Sequence, residues 1–220
     1  MDKSLITADD DAEALVKRAY ALSSAADSKA LYRDWANTYD HSMVDDLGYL
    51  TPQLTAKLLA EHIDSRDAQV LDVGSGTGLA GVALHAAGFT QLHALDFSPE
   101  MLAVADRRGI YQTLIEADLT NTLTMLTDDQ FDAMICTGTF THSHVGAECL
   151  AELWRILVPG GILACTVHHA IWDSSGFART IAKMESAGDL RTVYRKPGPY
   201  YASSDGDEGD YIVWKNTSKS

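Results

Sequence analysis

Leu71-Asp72-Val73-Gly74-Ser75-Gly76-Thr77-Gly78 places a glycine loop directly after an apolar strand and directly before a helix. Val70, Leu71 and Val73 supply a buried strand. Glycines at 74, 76 and 78 remove β-carbons that would keep a ligand away from the backbone. Leu79 to Leu84 then opens a helix whose free N–H groups point back over the loop, which marks a site for a nucleotide-like cofactor. A dinucleotide fingerprint would read Gly-x-Gly-x-x-Gly; this loop reads Gly-x-Gly-x-Gly and carries Asp72 two residues before its first glycine.

The next segments repeat a strand-to-acid pattern. Gln91 to Asp96 reads as a second strand ending in an acid about twenty residues past the loop, where a ribose diol would lie. In Phe97-Ser98-Pro99-Glu100-Met101, Ser98 is placed to cap a helix and Pro99 to occupy its first turn. A third strand, Gln112 to Ala117, ends in Asp118-Leu119. A fourth, Phe131 to Thr137, opens into Gly138-Thr139-Phe140-Thr141-His142-Ser143-His144. A helix is expected from Gly146 to Leu157, then a turn at Pro159-Gly160-Gly161 and a fifth strand, Ile162 to Val167. Strand and helix alternate from Ala68 to Val167, which demands a mainly parallel sheet covered on both faces. Beyond it, Phe177, Ile181 and Met184 keep helical spacing. Leu190 to Tyr194 and Tyr211 to Trp214 read as a strand pair joined by residues 197–209.

The loop Asp-x-Gly-x-Gly-x-Gly resembles motif I of the class I S-adenosylmethionine-dependent methyltransferases, and Asp96-Phe97-Ser98 with Met101-Leu102, Asp118-Leu119 and Leu157-x-Pro159-Gly160-Gly161 follow in that family's order. The resemblance implies a Rossmann-like seven-stranded α/β sheet, mainly parallel with the last strand antiparallel, and S-adenosylmethionine as cofactor. It implies that Gly74, Ser75, Gly76 and Gly78 lie against the methionine portion and that Asp72 orients it through the loop or water. It assigns Asp96 to the ribose, Phe97 and Met101 to the flank of the adenine, and Asp118 and Leu119 to the adenine edge. Thr137 and Gly138 complete the cofactor set. The chemistry implied is direct methyl transfer to an oxygen, nitrogen or sulfur nucleophile of a small molecule; the other readings are a cofactor sensor without transfer activity and a methyltransferase of protein or RNA.

Upstream, residues 1–66 form an expected helical cap over a core of residues 67–216, with a polar tail at 217–220. Ala8 to Ala26 reads as one amphipathic helix, Leu31 to Asp40 as another, and Thr51-Pro52 as the capped start of a third. Tyr32-x-x-Trp35-Ala36-x-x-Tyr39-Asp40 resembles the N-terminal segment of small-molecule methyltransferases like the Williams–Beuren syndrome region methyltransferase. That likeness implies that Tyr39 touches the methionine end of the cofactor and places Tyr32 and Trp35 near the acceptor. His142 and His144 follow the fourth strand and His168 and His169 the fifth, so all four belong to the cleft rim. His142, His168 and His169 are candidate proton acceptors, while His144, Trp172, Tyr200 and Tyr201 are candidate acceptor contacts.

Composition narrows the classes. The 220 residues are 46% hydrophobic and can bury a sizeable core. The three cysteines sit in expected strands and a helix without metal-ligand spacing, and the His-x-His and His-His pairs lack suitably spaced carboxylates, so no metal is expected. A net charge of −14 without a long Lys/Arg cluster disfavours a nucleic-acid partner. No run reaches the roughly twenty apolar residues of a membrane span, and the N-terminus lacks a signal pattern, which points to the cytoplasm. A homodimer fits the reading equally well.

Overall fold

The computed structural model describes residues 6, 10–22, 24–141, 145–204 and 208–219. Seven strands form one sheet in the order β3-β2-β1-β4-β5-β7-β6: β1 (Val70–Val73), β2 (Leu92–Asp96), β3 (Tyr111–Glu116), β4 (Phe131–Phe140), β5 (Leu157–His168), β6 (Leu190–Gly198) and β7 (Gly209–Asn216). Strands β1 to β5 pair in parallel; β7 runs antiparallel between β5 and β6. Leu71 pairs with His93 on one side and Met134 on the other, so β1 is central. The chain leaves β1 toward β2 and later returns to the opposite flank of β1 as β4. A reversal of strand order of this kind opens a crevice at the carboxyl ends of the strands.

Alternating side chains along β1 feed two cores. Leu71 and Val73 pack with Met134, Leu163, Trp214 and the helices α6 (Leu150–Ile156) and α8 (Phe177–Ala187). Val70 joins Leu59, Leu84, Ala133 and Val213 beneath α3 (Thr51–His62) and α4 (Leu79–Ala86). The period of two along each strand sends neighbouring residues to opposite faces. Helix α5 (Pro99–Asp106) begins as expected: Ser98 Oγ accepts the Met101 N–H, and Pro99 occupies the first turn. Among the described residues no helix is long and apolar enough to cross a membrane.

Several boundaries differ from the sequence expectation. The helix expected over Ala8 to Ala26 is α1 (Ala12–Ala21), and Ser24 starts α2 (Ala25–Trp35) by accepting the Asp27 N–H at 3.1 Å. A side-chain cap competes with continued helix and wins because it satisfies a free backbone donor. The helix expected over Leu31 to Asp40 is the later part of α2, which ends at Trp35, and the chain rewinds as a π-turn over His41–Asp46. Leu50, not Thr51, occupies the cap position of α3, and Thr51 is its first helical residue. The helix expected from Gly146 begins as a 3-10 turn at Ala147–Cys149. Pro159-Gly160-Gly161 lies inside β5 as an irregularity: Phe131 pairs with Leu157 but Ala133 with Ile162. Three extra residues are thus extruded without ending the strand.

The Ser24 cap generates a test. Ser24→Ala should lower the unfolding free energy by about 1 kcal/mol, read from the urea midpoint at unchanged slope. An unchanged midpoint would mean that packing alone divides the two helices.

Candidate functional site

Above the carboxyl ends of β1 to β4 lies a cleft lined by Gly74, Gly76, Asp96, Phe97, Met101, Asp118, Leu119, Thr137 and Gly138, with Tyr32 and Tyr39 from the N-terminal helices. These eleven residues were all expected from the sequence. The glycines do different work. A β-carbon on Gly76, whose φ is +53°, would meet nothing within 4 Å and would project into open space. On Gly74 it would lie 2.1 Å from Thr139 Oγ1, so that glycine makes room for protein.

Asp96 holds this floor in place. Its carboxylate accepts the Gly76 N–H at 2.8 Å and the Ser98 N–H at 2.9 Å. Burial pushes its carboxyl upward, and these backbone donors pull it back down. Each oxygen retains lone-pair capacity for a further donor, as a ribose diol would supply. At the next strand end Asp118 Oδ1 accepts from the backbone and hydroxyl of Thr120. A glycine cradle facing empty space and two acids at successive strand ends fit S-adenosylmethionine.

Asp72, Ser75 and Gly78 do not line the cleft. Asp72 turns beneath α4, where Oδ2 accepts the Gly81 N–H at 3.1 Å and the Tyr111 hydroxyl at 2.6 Å. It is 1% exposed. Burial pushes its carboxyl up to about 7, with the Tyr111 and Gly81 donors opposing. Ser75 bonds through its backbone to Leu95, and Gly78 caps α4 against the Tyr111 ring. These residues shape the loop, because a short strand-to-helix turn alternates which atoms face the cleft.

Behind the cleft a narrower recess shares Tyr32, Tyr39 and Gly138 with it. Trp35, Tyr200 and Tyr201 line it as the sequence suggested, with Tyr20, Tyr49 and Thr141. Trp35 and Tyr39 meet edge to face at 4.8 Å, and the Trp35 indole N–H donates to Ser42. His168 stands edge-on to Tyr20 and Tyr200, and its Nδ1 accepts the Ala170 N–H, so it caps α7 (His169–Trp172) outside the lining. His169 and Trp172 also line neither cavity. His169 Nε2 lies 3.2 Å from Asp210, and Trp172 stacks under the Arg195 guanidinium at 3.5 Å. Both follow the strand end, but the start of α7 turns them toward β6 and β7. His142 and His144 lie outside the described residues. Among the described residues no cluster of His, Cys, Asp or Glu could hold a metal ion.

A junction between cap and loop escaped the sequence reading. Asp40 accepts from the Thr77 hydroxyl at 2.5 Å and pairs with Arg108, whose Nε donates to the Thr77 carbonyl. Tyr39, the preceding residue, is thereby anchored at the edge of the glycine loop. Asp40 and Arg108 are 68 residues apart, with no local pattern linking them.

The sequence matches a family model described as a methyltransferase domain over residues 71–165. The human methyltransferase-like protein 27 is 31% identical over 183 residues, spanning 81% of this chain and 74% of that protein. A demethylmenaquinone methyltransferase of Deinococcus radiodurans is 35% identical over 107 residues, 47% of this chain and 44% of that protein. Among solved structures, the 1,6-didemethyltoxoflavin-N1-methyltransferase of Burkholderia thailandensis, with bound 1,6-didemethyltoxoflavin and S-adenosylhomocysteine, shares the fold at a TM-score of 0.62. It is 19% identical, over 90% of this chain and 92% of that one.

Two tests follow from the acids. Asp96→Ala should weaken S-adenosylmethionine binding by about 1.5–3 kcal/mol in calorimetry; full affinity in the folded variant would move the ribose elsewhere. For Asp72, the folded carboxyl titrates near 7 and the ordinary one at 3.8. The folded state therefore holds the extra proton between those values, and stability is lost as pH rises from about 4 to about 7, at up to about 1.4 kcal/mol per unit. Asp72→Asn should remove that slope, so urea titrations of parent and variant should diverge across the window. Parallel pH curves would contradict the burial of the charge.

Proposed function

The chain belongs to the class I S-adenosylmethionine-dependent methyltransferases, and from that premise we propose that it methylates a small molecule held in the recess behind the cofactor cleft. One observation carries the reading: Tyr32, Tyr39 and Gly138 line both spaces, so an acceptor in the recess adjoins the cofactor beneath a lid of N-terminal helices. The recess is narrow and excludes a folded macromolecule. The net charge of −14 also disfavours a phosphate backbone. The names of the Deinococcus and Burkholderia proteins specify small acceptors, which supports the same class here.

S-adenosylmethionine, when bound, supplies a methyl group on a positively charged sulfur already activated toward in-line attack. This chain's residues then need to bind, orient and exclude water. Asp96 receives the ribose hydroxyls, Asp118 and Leu119 meet the adenine, and Phe97 and Met101 flank it. Gly74, Gly76 and Tyr39 border the methionine portion. Residues 1–66 act as the cap over a catalytic core of residues 67–216. Tyr49, Tyr200 and Tyr201 close the acceptor side, and the Asp40 junction with Thr77 and Arg108 keeps Tyr39 over the loop.

Incubation with methyl-labelled S-adenosylmethionine and a cell extract tests this. The label should enter dialysable molecules. Label confined to protein or RNA would overturn the small-acceptor reading; tight cofactor binding without transfer to any fraction would favour the sensor.

A further inference from the structure

We propose that the acceptor atom is an uncharged amine or ring nitrogen that becomes cationic on methylation, its positive charge held by the tyrosine walls of the recess. The inference rests on the small-acceptor reading and adds the class of nucleophile. Six tyrosines, Tyr20, Tyr32, Tyr39, Tyr49, Tyr200 and Tyr201, line the recess together with Trp35. Their rings gather in two groups: Trp35 lies 4.8 Å from Tyr39 and 6.3 Å from Tyr32, and Tyr49 lies 5.6 Å from Tyr201. The Tyr20 and Tyr201 hydroxyls bond across the gap between α1 and the loop joining β6 to β7.

Acids stand beside three of these rings, one of them, Asp40, paired with Arg108. Asp96 faces Tyr32, Asp40 faces Tyr39 and Glu208 faces Tyr20. Among the described residues no Lys or Arg lines the cleft or the recess. Burial raises every one of these phenols, so they stay neutral. Aromatic faces attract cations, more strongly where water is excluded. Neutral phenol rings in a lining without Lys or Arg therefore favour a positive occupant over an anion.

Charge bookkeeping then selects the nucleophile. As the nitrogen lone pair forms the new N–C bond, the C–S bond breaks with its electron pair passing to sulfur. The positive charge moves from sulfur to nitrogen and remains within the aromatic walls, and no proton need leave during attack. A hydroxyl or thiol acceptor would instead give a neutral product and release a proton, so the walls would lose their cation as the product forms.

The test uses the full chain saturated with S-adenosylhomocysteine and two probes of matched shape, choline and 3,3-dimethyl-1-butanol. Choline should bind about tenfold more tightly by calorimetry. Tyr201→Leu should erase most of that preference, while Tyr201→Phe, which keeps the ring, should retain it. Equal affinity for the two probes, or binding of neither, would overturn the proposal. Mass spectrometry of the labelled dialysable product gives an independent arm. Methyl on nitrogen supports the proposal; methyl on oxygen or sulfur overturns it while leaving the small-acceptor reading intact. Label in macromolecules alone would overturn that earlier reading as well.

Discussion

The Asp96 carboxylate is the joint on which the site depends. It accepts the N–H of Gly76 from the loop after β1 and the N–H of Ser98 at the start of α5. One side chain thus ties together the ends of two strands and the entry to a helix. The bond to Gly76 fixes a backbone with φ +53°, a conformation that an L side chain adopts only with strain. Opening this joint would loosen the loop and the first turn of α5 together, and with them the floor of the cleft. Asp72 does parallel work one layer deeper, joining the first turn of α4 to Tyr111 of β3. The acid near the bottom is shielded from the cleft, and the acid at the top is open to it.

The cap is joined to this floor by charge as well as by packing. Leu15, Leu31, Trp35, Met43 and Tyr49 form a separate apolar cluster, so the N-terminal helices have a core of their own. Such a layer could settle at many angles over the sheet. Asp40 narrows the choice, because it must reach both the Thr77 hydroxyl and Arg108. Arg108 in turn donates to the Thr77 carbonyl, so loop, α5 and cap meet at one point. Partial burial makes a multiply bonded guanidinium more effective here than an isolated surface pair.

Much of the fold and of the cleft's lining was legible in sequence because both depend on local patterns. Apolar runs ending in Gly74, Asp96, Asp118 and Gly138 identify strands and their open ends, and the structure assembles those residues in one cleft. Three kinds of placement were not legible, each for a physical reason. Ser24 and the π-turn after Asp40 divide the cap through caps and backbone bonds that periodicity does not register. Asp72 belongs to the glycine motif by position, yet its side chain points beneath α4 toward Tyr111, a partner 39 residues away. His169 and Trp172 follow a strand end, but the direction of a side chain in the first turn after a strand depends on what packs there. In this chain Asp210 and Arg195 supply those partners.

The way the cleft's acids are bonded bears on which ligand groups complete the site. Asp96 accepts from backbone N–H groups, and Asp118 accepts from Thr120. Neither is neutralised by a bonded Lys or Arg. A carboxylate paired with arginine would spend its lone pairs on a cation and offer little to an incoming hydroxyl or amine. One held by neutral donors keeps both its negative charge and lone-pair capacity, at the cost of a carboxyl pushed upward by burial in the case of Asp96. Among the described residues no Lys or Arg lines the cleft beside the tyrosine rings. A cleft bonded in this way favours a ligand that brings hydroxyl and amine donors at one end and positive charge at the other, the combination found in the nucleoside and sulfonium of S-adenosylmethionine.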